Sequence, residues 1–334
     1  MSNIRVGIVG AGNWGTTLAL YLEKEGRPPM LYEYFRERVK RLRSDRENKE
    51  FLPGYPIPED VVITNEPEEL VGSSDVIFFV QPSHTLRNLA SIFSKYLKDQ
   101  IIVSFTKGID PETLERMSEV LEGELHGQKD KIVAISGPSI GREVVRGVPT
   151  SLVAASRDIK NAEIIQGLLS GEKMRVYTSM DIVGVELGGA LKNVYAIASG
   201  ICDGLGLGMN AKAALITRSM AELSRLAVKM GGEKQTFAGL SGFGDLIVTS
   251  FSVHSRNRSV GERLGSGEVL DDILKDMVEV AEGVRTTKSA CRLSDEYNIE
   301  MPIAREVSSV LFGDKDPRAS IKDLMQRDLK REKR

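Results

Sequence analysis

Cysteine is nearly absent: Cys202 and Cys291 are the only two in 334 residues. Two isolated thiols offer no metal-ligand spacing and no disulfide framework, and they suit a reducing compartment. An excess of one charge is also lacking. Lys and Arg number 45 against 47 Asp and Glu, a net charge of −2, whereas a nucleic-acid-binding protein shows a basic face. The basic run KREKR at 330–334 reads as a solvated helix end. No uncharged apolar run approaches the roughly 20 residues of a membrane span. The earliest apolar stretch reads as a strand, not a signal peptide. The expectation is therefore a cytoplasmic chain with no nucleic-acid partner, no metal site and no stable membrane insertion. Apolar residues are plentiful, at 41%, enough for large cores, and the length favours two domains.

The most informative stretch is Ile4 to Thr17, IRVGIVGAGNWGTT. Ile4, Val6, Ile8 and Val9 make a short buried strand, and Thr16 to Leu22 read as a helix. Between them Gly10, Gly12 and Gly15 stand at G-x-G-x-x-G spacing, which fits a dinucleotide site. Gly10 permits the tight turn, Gly12 lets the backbone approach a pyrophosphate, and Gly15 lets helix and strand pack closely. The free N–H groups of the helix then face the phosphates. A merely tight strand–helix turn is the alternative.

Short apolar runs alternating with amphipathic stretches continue through the first half, as in a parallel sheet with crossover helices. Strands are expected at Met30–Tyr34, Val76–Val80, Ile101–Phe105, Ile132–Ile135, Ser151–Ala155 and Arg175–Tyr177, with a charged helix over Phe35–Asn48 and a loop at Pro53, Pro56 and Pro58. From about Asp181 helical spacing takes over. We expect a doubly wound parallel sheet in a dinucleotide-binding domain, 1–180, then an all-α substrate-binding and catalytic domain, 181–334.

In such a sheet, ligands lie beyond the carboxyl ends of the strands. Glu33 stands 18 residues after Gly15, about where a carboxylate accepts from the adenosine ribose hydroxyls. That favours NAD, although Arg36 and Arg38 follow closely and could serve the 2′-phosphate of NADP. His84 could be catalytic, but a loop histidine with a backbone partner is the commoner case. Lys107, beside Gly108, can reach an anionic ligand over the sheet. Gly137 allows close backbone approach, and Ser139 can cap the next helix and offer donors near a nicotinamide.

In the helical half, Lys192 lies on a helix face made mostly of small residues: Val185, Gly188, Gly189, Ala196 and Ser199. A buried ammonium needs a partner or a lowered pKa. Room plus a desolvated amine suits an acid/base lysine. Leu240–Ser250 combines glycines, the carboxylate of Asp245 and the hydroxyl of Thr249. Asp245 could orient or pair with the lysine. In Ser255-Arg256-Asn257-Arg258 the arginine fork suits a phosphate and Asn257 adds neutral donors.

GAGNWGT, QPSHTLR, FTKGI, SGPSIGRE, the Lys192 helix, LSGFGDLIVTS, SRNR and AEGVRT occur in that order. From Ile4 to Pro302 the chain resembles the NAD(P)-dependent sn-glycerol-3-phosphate dehydrogenase family. The resemblance implies a Rossmann-type sheet domain followed by a helical domain, with NAD or NADP as cofactor, and interconversion of glycerol 3-phosphate and dihydroxyacetone phosphate in support of glycerophospholipid synthesis. It implies Lys192 as proton acceptor and donor, with Lys107, Gly137, Asp245, Ser255, Arg256 and Asn257 against the substrate and Asn193 and Thr249 as further substrate-side positions. It implies Asn13, Trp14, Tyr34, Lys107, Gly141, Arg256, Val280 and Glu282 against the cofactor. A phosphorylated small molecule is the expected partner and a homodimer the expected assembly. Three places depart from the pattern: Gly141 stands where alanine is common, Gln81 replaces an aliphatic residue, and Tyr32-Glu33-Tyr34 alters the segment that bears on cofactor choice. The rivals are another two-domain hydroxy-acid dehydrogenase and a non-catalytic dinucleotide sensor. A UDP-sugar dehydrogenase would need a thiol nucleophile; Cys202 lies in a suggestive loop, GICDGLG, but a small buried thiol is the commoner case.

Overall fold

A computed structural model describes residues 4–125, 127–329 and 331–332. The expected helix end at KREKR falls largely on Lys330, Lys333 and Arg334, outside the described residues, and the last helix before it is Pro317–Met325. Eight strands form one sheet in the order β3-β2-β1-β4-β5-β6-β7-β8. They are β1 (Val6–Val9), β2 (Met30–Tyr32), β3 (Val62–Thr64), β4 (Val76–Phe79), β5 (Ile101–Ser104), β6 (Ile132–Ser136), β7 (Thr150–Ser156) and β8 (Met174–Ser179). Pairing is parallel except between β6 and β7.

The period-2 alternation of strands splits the apolar residues between two faces. Ile8, Phe78 and Val103 join one core with Leu18 and Leu22, while Val9, Ile77, Phe79 and Ile102 join another with Phe93. Burial on both faces is why these strands read as continuous apolar runs. Three elements differ from expectation. β3 is additional; its three residues follow a proline-rich loop and carry too little pattern to be seen. β2 stops at Tyr32, so Glu33 begins the loop beyond it. The charged helix is Arg36–Asp45, ended by Arg46 in a left-handed conformation at φ 47°.

The helical half is built around the helix Ile182–Gly204, buried along nearly its whole length. Its start is fixed by Asp181, whose carboxylate accepts from Gly184 N at 2.8 Å, Glu233 N at 2.9 Å and Thr236 Oγ1 at 2.6 Å. The helix Arg256–Gly265 crosses it with main chain against main chain. A Cβ on Gly200 would lie 1.9 Å from the Arg258 carbonyl oxygen, and one on Gly261 would lie 1.9 Å from that of Ile197. Only glycine permits that approach. The crossing sets Lys192 and Asn193 beside Arg256 and Asn257, facing the carboxyl ends of the strands.

Candidate active site

The cleft between sheet and helices has a volume of about 800 Å³. At one end is the glycine turn. Gly10 adopts φ +115°, and a Cβ on Gly15 would sit 1.8 Å from the Gly10 carbonyl oxygen, whereas Gly12 faces open space. The helix Asn13–Lys24 starts here, earlier than the pattern suggested, with no side-chain cap and no acidic residue in its first turn. Its N–H groups are free for an anion. This cradle fits the pyrophosphate of a dinucleotide. Gly10, Gly12, Asn13 and Trp14 line the cleft, whereas Gly15 stands behind it as the packing glycine.

Beyond β2, Glu33 and the half-exposed Tyr34 line the same cleft. Glu33 is only 6% exposed and accepts from Phe35 N at 2.9 Å. Burial raises its pKa, against the lowering effect of that backbone hydrogen bond. Of the two arginines nearby, Arg38 lines the cleft, bonded to Glu50 at 2.7 Å and stacked over Phe35 and Phe51. Arg36 lies outside the lining, 4.0 Å from Glu66.

At the centre, Asp245 is 1% exposed and holds two amines. Lys107, from the loop after β5, donates to its Oδ2 at 2.6 Å and to the Gly137 carbonyl at 3.1 Å. Lys192 donates to the other carboxylate oxygen and to Thr249 Oγ1 at 2.6 Å. Burial would favour the neutral acid, but the two ammonium groups outweigh it and hold Asp245 below the usual carboxylate range. Lys192 is pulled down to about 7, chiefly by burial and further by Lys107 and Arg256, with Asp245 resisting. A lysine poised there can exchange a proton near neutral pH.

The other expected residues gather round this centre. Asn257 donates to Asn193 Oδ1 at 2.9 Å and accepts from Gly283 N at 2.8 Å, which leaves one amide hydrogen free of the donors expected of it. Ser255 caps its helix, accepting from Arg258 N at 3.2 Å. Arg258 is tied by Asp203, which also holds Lys212, so the helix start is fixed from below. Val280 and Glu282 line the opposite wall. The Glu282 carboxylate accepts from Ser83 N at 2.8 Å and Ser83 Oγ at 2.6 Å, reaching across from the helical half to the start of the helix Ser83–Ser94. Gly137 and Asp245 lie just behind the lining, and Gly141 is part of it.

Two expectations fail. Ser139 caps nothing: its hydroxyl donates to the Gly137 carbonyl at 3.1 Å, and Ile140 occupies the cap position. His84 sits on a helix rather than a loop, exposed and outside the cleft lining. Cys202 is the small buried thiol expected rather than a nucleophile: it lies in the central helix, and burial pushes its thiol up to about 11. One neighbour of the site was not singled out from sequence. Glu279 pairs with Arg256 at 3.2 Å and accepts from Asn13 Nδ2 at 3.4 Å, bridging the two halves. No motif marks it, because its contacts join residues far apart in the chain.

A glycine-turn cradle facing a buried lysine–carboxylate centre defines a nicotinamide-dependent dehydrogenase of two lobes. The N-terminal family description of NAD-dependent glycerol-3-phosphate dehydrogenase matches residues 5–162, and the C-terminal one matches 181–322. The glycerol-3-phosphate dehydrogenase [NAD(P)+] of Syntrophotalea carbinolica is 46% identical over 98% of this chain and 99% of its own length. That of Geobacter sulfurreducens is 45% identical with the same coverage. A crystal structure of glycerol-3-phosphate dehydrogenase from Coxiella burnetii superposes with a TM-score of 0.92 at 34% identity, covering 97% of this chain and 99% of that one. The chain belongs to the NAD-dependent glycerol-3-phosphate dehydrogenase family, and it is an oxidoreductase with an NAD(P)-binding domain.

Proposed function

We propose that the protein interconverts sn-glycerol 3-phosphate and dihydroxyacetone phosphate, with Lys192 as the acid/base. The observation that carries the reading is the Lys107–Asp245–Lys192 centre, set between a dinucleotide cradle and Arg256. A nicotinamide dinucleotide supplies the hydride acceptor, or the donor in reverse. Residues beyond β2 would hold its adenosine side and Asn13 and Trp14 its phosphates. In oxidation, neutral Lys192 Nζ takes the proton of the secondary hydroxyl as hydride leaves the same carbon. In reduction, the ammonium returns that proton to the forming alkoxide. Asp245 and Thr249 fix the amine between them, and Lys107 supplies a cation beside the carbonyl oxygen.

Arg256 would clamp the substrate phosphate with its planar fork. Arg256→Ala is expected to raise KM for dihydroxyacetone phosphate about 10- to 100-fold, the loss of a charge-assisted hydrogen bond. An unchanged KM would take Arg256 out of the site.

The reading includes a preference for NADH. The buried Glu33 carboxylate would repel a 2′-phosphate, and Arg38 is already engaged by Glu50. The test follows absorbance of the reduced nicotinamide as dihydroxyacetone phosphate is supplied, with NADH and NADPH in parallel. Oxidation dependent on the triose phosphate, faster with NADH, is expected. Glu33→Ser should narrow the preference roughly tenfold, the effect of about 1.4 kcal/mol. Tight NADH binding without turnover would favour the sensor reading.

The division into 1–180 and 181–334 belongs to this proposal, supported by the end of β8 at Ser179 and the start of the long helix at Ile182. So do a cytoplasmic location, which the two unpaired cysteines suit, and use of the reduced product as the glycerol phosphate of glycerophospholipids. Among the described residues no single helix is long and apolar enough to cross a membrane. A homodimer is the assembly expected with this reading, and mass in solution tests it.

A further inference from the structure

Among the described residues lining the cleft, Gln81 alone carries buried side-chain polar atoms with no hydrogen-bond partner. The residue is 9% exposed, and both Nε2 and Oε1 are orphaned. Such a carboxamide is rare in a folded chain, because its desolvation is uncompensated. Its main chain is held in place. The Gln81 carbonyl accepts from Thr106 Oγ1 at 3.0 Å. The preceding Val80 carbonyl packs so close to the glycine turn that a Cβ on Gly10 would lie 2.7 Å from its oxygen. Ser83, two residues on, is bonded to Glu282.

The position of β4 in the sheet says which ligand group could satisfy the amide. β4 flanks β1 on the side away from β2. A dinucleotide with its adenosine ribose at Glu33 and its phosphates at the Asn13–Lys24 helix brings its second nucleoside over β4 and β5. Gln81 follows β4 there. A carboxamide both gives and accepts hydrogen bonds, and so do the vicinal hydroxyls of a ribose.

We propose that Gln81 is a binding residue for the ribose of the nicotinamide half, exchanging hydrogen bonds with its hydroxyls. The inference rests on the reading that the cleft takes a dinucleotide.

The test is a Gln81→Met variant, whose apolar side chain is of similar length, with Gln81→Leu as a second. Dissociation constants for NADH, ADP-ribose and ADP are measured without substrate, and the melting temperature without ligand. ADP lacks the second ribose; ADP-ribose has it but lacks the nicotinamide. The expected result is NADH and ADP-ribose weakened roughly three- to thirty-fold, ADP unchanged, and a melting temperature equal to or above that of the wild type. Unchanged NADH and ADP-ribose would overturn the proposal, as would NADH weakened with ADP-ribose unchanged. Equal weakening of all three, or a melting temperature lowered by several degrees in both variants, would mark Gln81 as part of the fold and overturn it too. Failure of the wild type to bind NADH would instead remove the dinucleotide reading, and the inference with it.

Discussion

Lys192→Ala is expected to lower kcat about 10²–10⁴-fold, the usual contribution of a positioned proton-transfer group, while NADH still binds. The two readouts separate because Lys192 stands with Asp245 and Thr249 on the helical side, away from the glycine cradle. The pH profile gives the sign. With Lys192 near 7, oxidation of glycerol 3-phosphate needs the neutral amine, so its kcat/KM rises as pH passes upward through about 7. Reduction of dihydroxyacetone phosphate needs the ammonium, so its kcat/KM falls over the same interval. In the variant that limb disappears from both profiles. Near-normal turnover would remove Lys192 from the chemistry.

Asp245→Asn is expected to damage both stability and the pH profile. The carboxylate is buried between two amines, and its loss leaves Lys107 and Lys192 facing each other with no counter-charge. Removing one member of a buried ionic cluster costs about 3–5 kcal/mol, readable as a lower midpoint of urea unfolding. Asp245 is also the group that raises the Lys192 pKa. Without it the amine loses its proton more readily, and the limb near 7 moves to lower pH. The stability deficit has a matching sign. Above about 7 the folded Lys192 is neutral with or without Asp245. Below that pH the wild type holds the proton in an ion pair, whereas the variant must hold it unpaired or shed it. The deficit should therefore be larger at pH 6 than at pH 9. A variant as stable as the wild type at both values would contradict the charge arrangement.

Much of this centre was legible in the sequence because its logic is local. The strand, three spaced glycines and helix at Val6–Lys24 specify a turn by conformational need alone. Lys192 declared itself by being charged on a face of small residues. Where the sequence misled, a competing contact had won. Ser139 has the chemistry of a cap, but the Gly137 carbonyl takes its hydroxyl. Asn257 reads as a donor, and Asn193 takes only one of its two amide hydrogens. β3 was hidden because three residues cannot establish a period, and β7 reads like any other strand although it runs antiparallel to β6. Glu279 was illegible for a plainer reason: Asn13 and Arg256, which it joins, are more than 200 positions apart in the chain.

The glycine-on-carbonyl crossing at Gly200 and Gly261 makes the helical lobe a caliper. Lys192 lies about two turns before Gly200 on one jaw, and Arg256 opens the other jaw just ahead of Gly261. With no side chain between the two backbones, the jaws cannot slide or spread without breaking the crossing. The separation of the backbone positions that carry Lys192 and Arg256 is then set by main chain. Under the proposed reading, that spacing sets how a polyol phosphate spans the site, with its phosphate toward Arg256 and its reacting carbon toward Lys192.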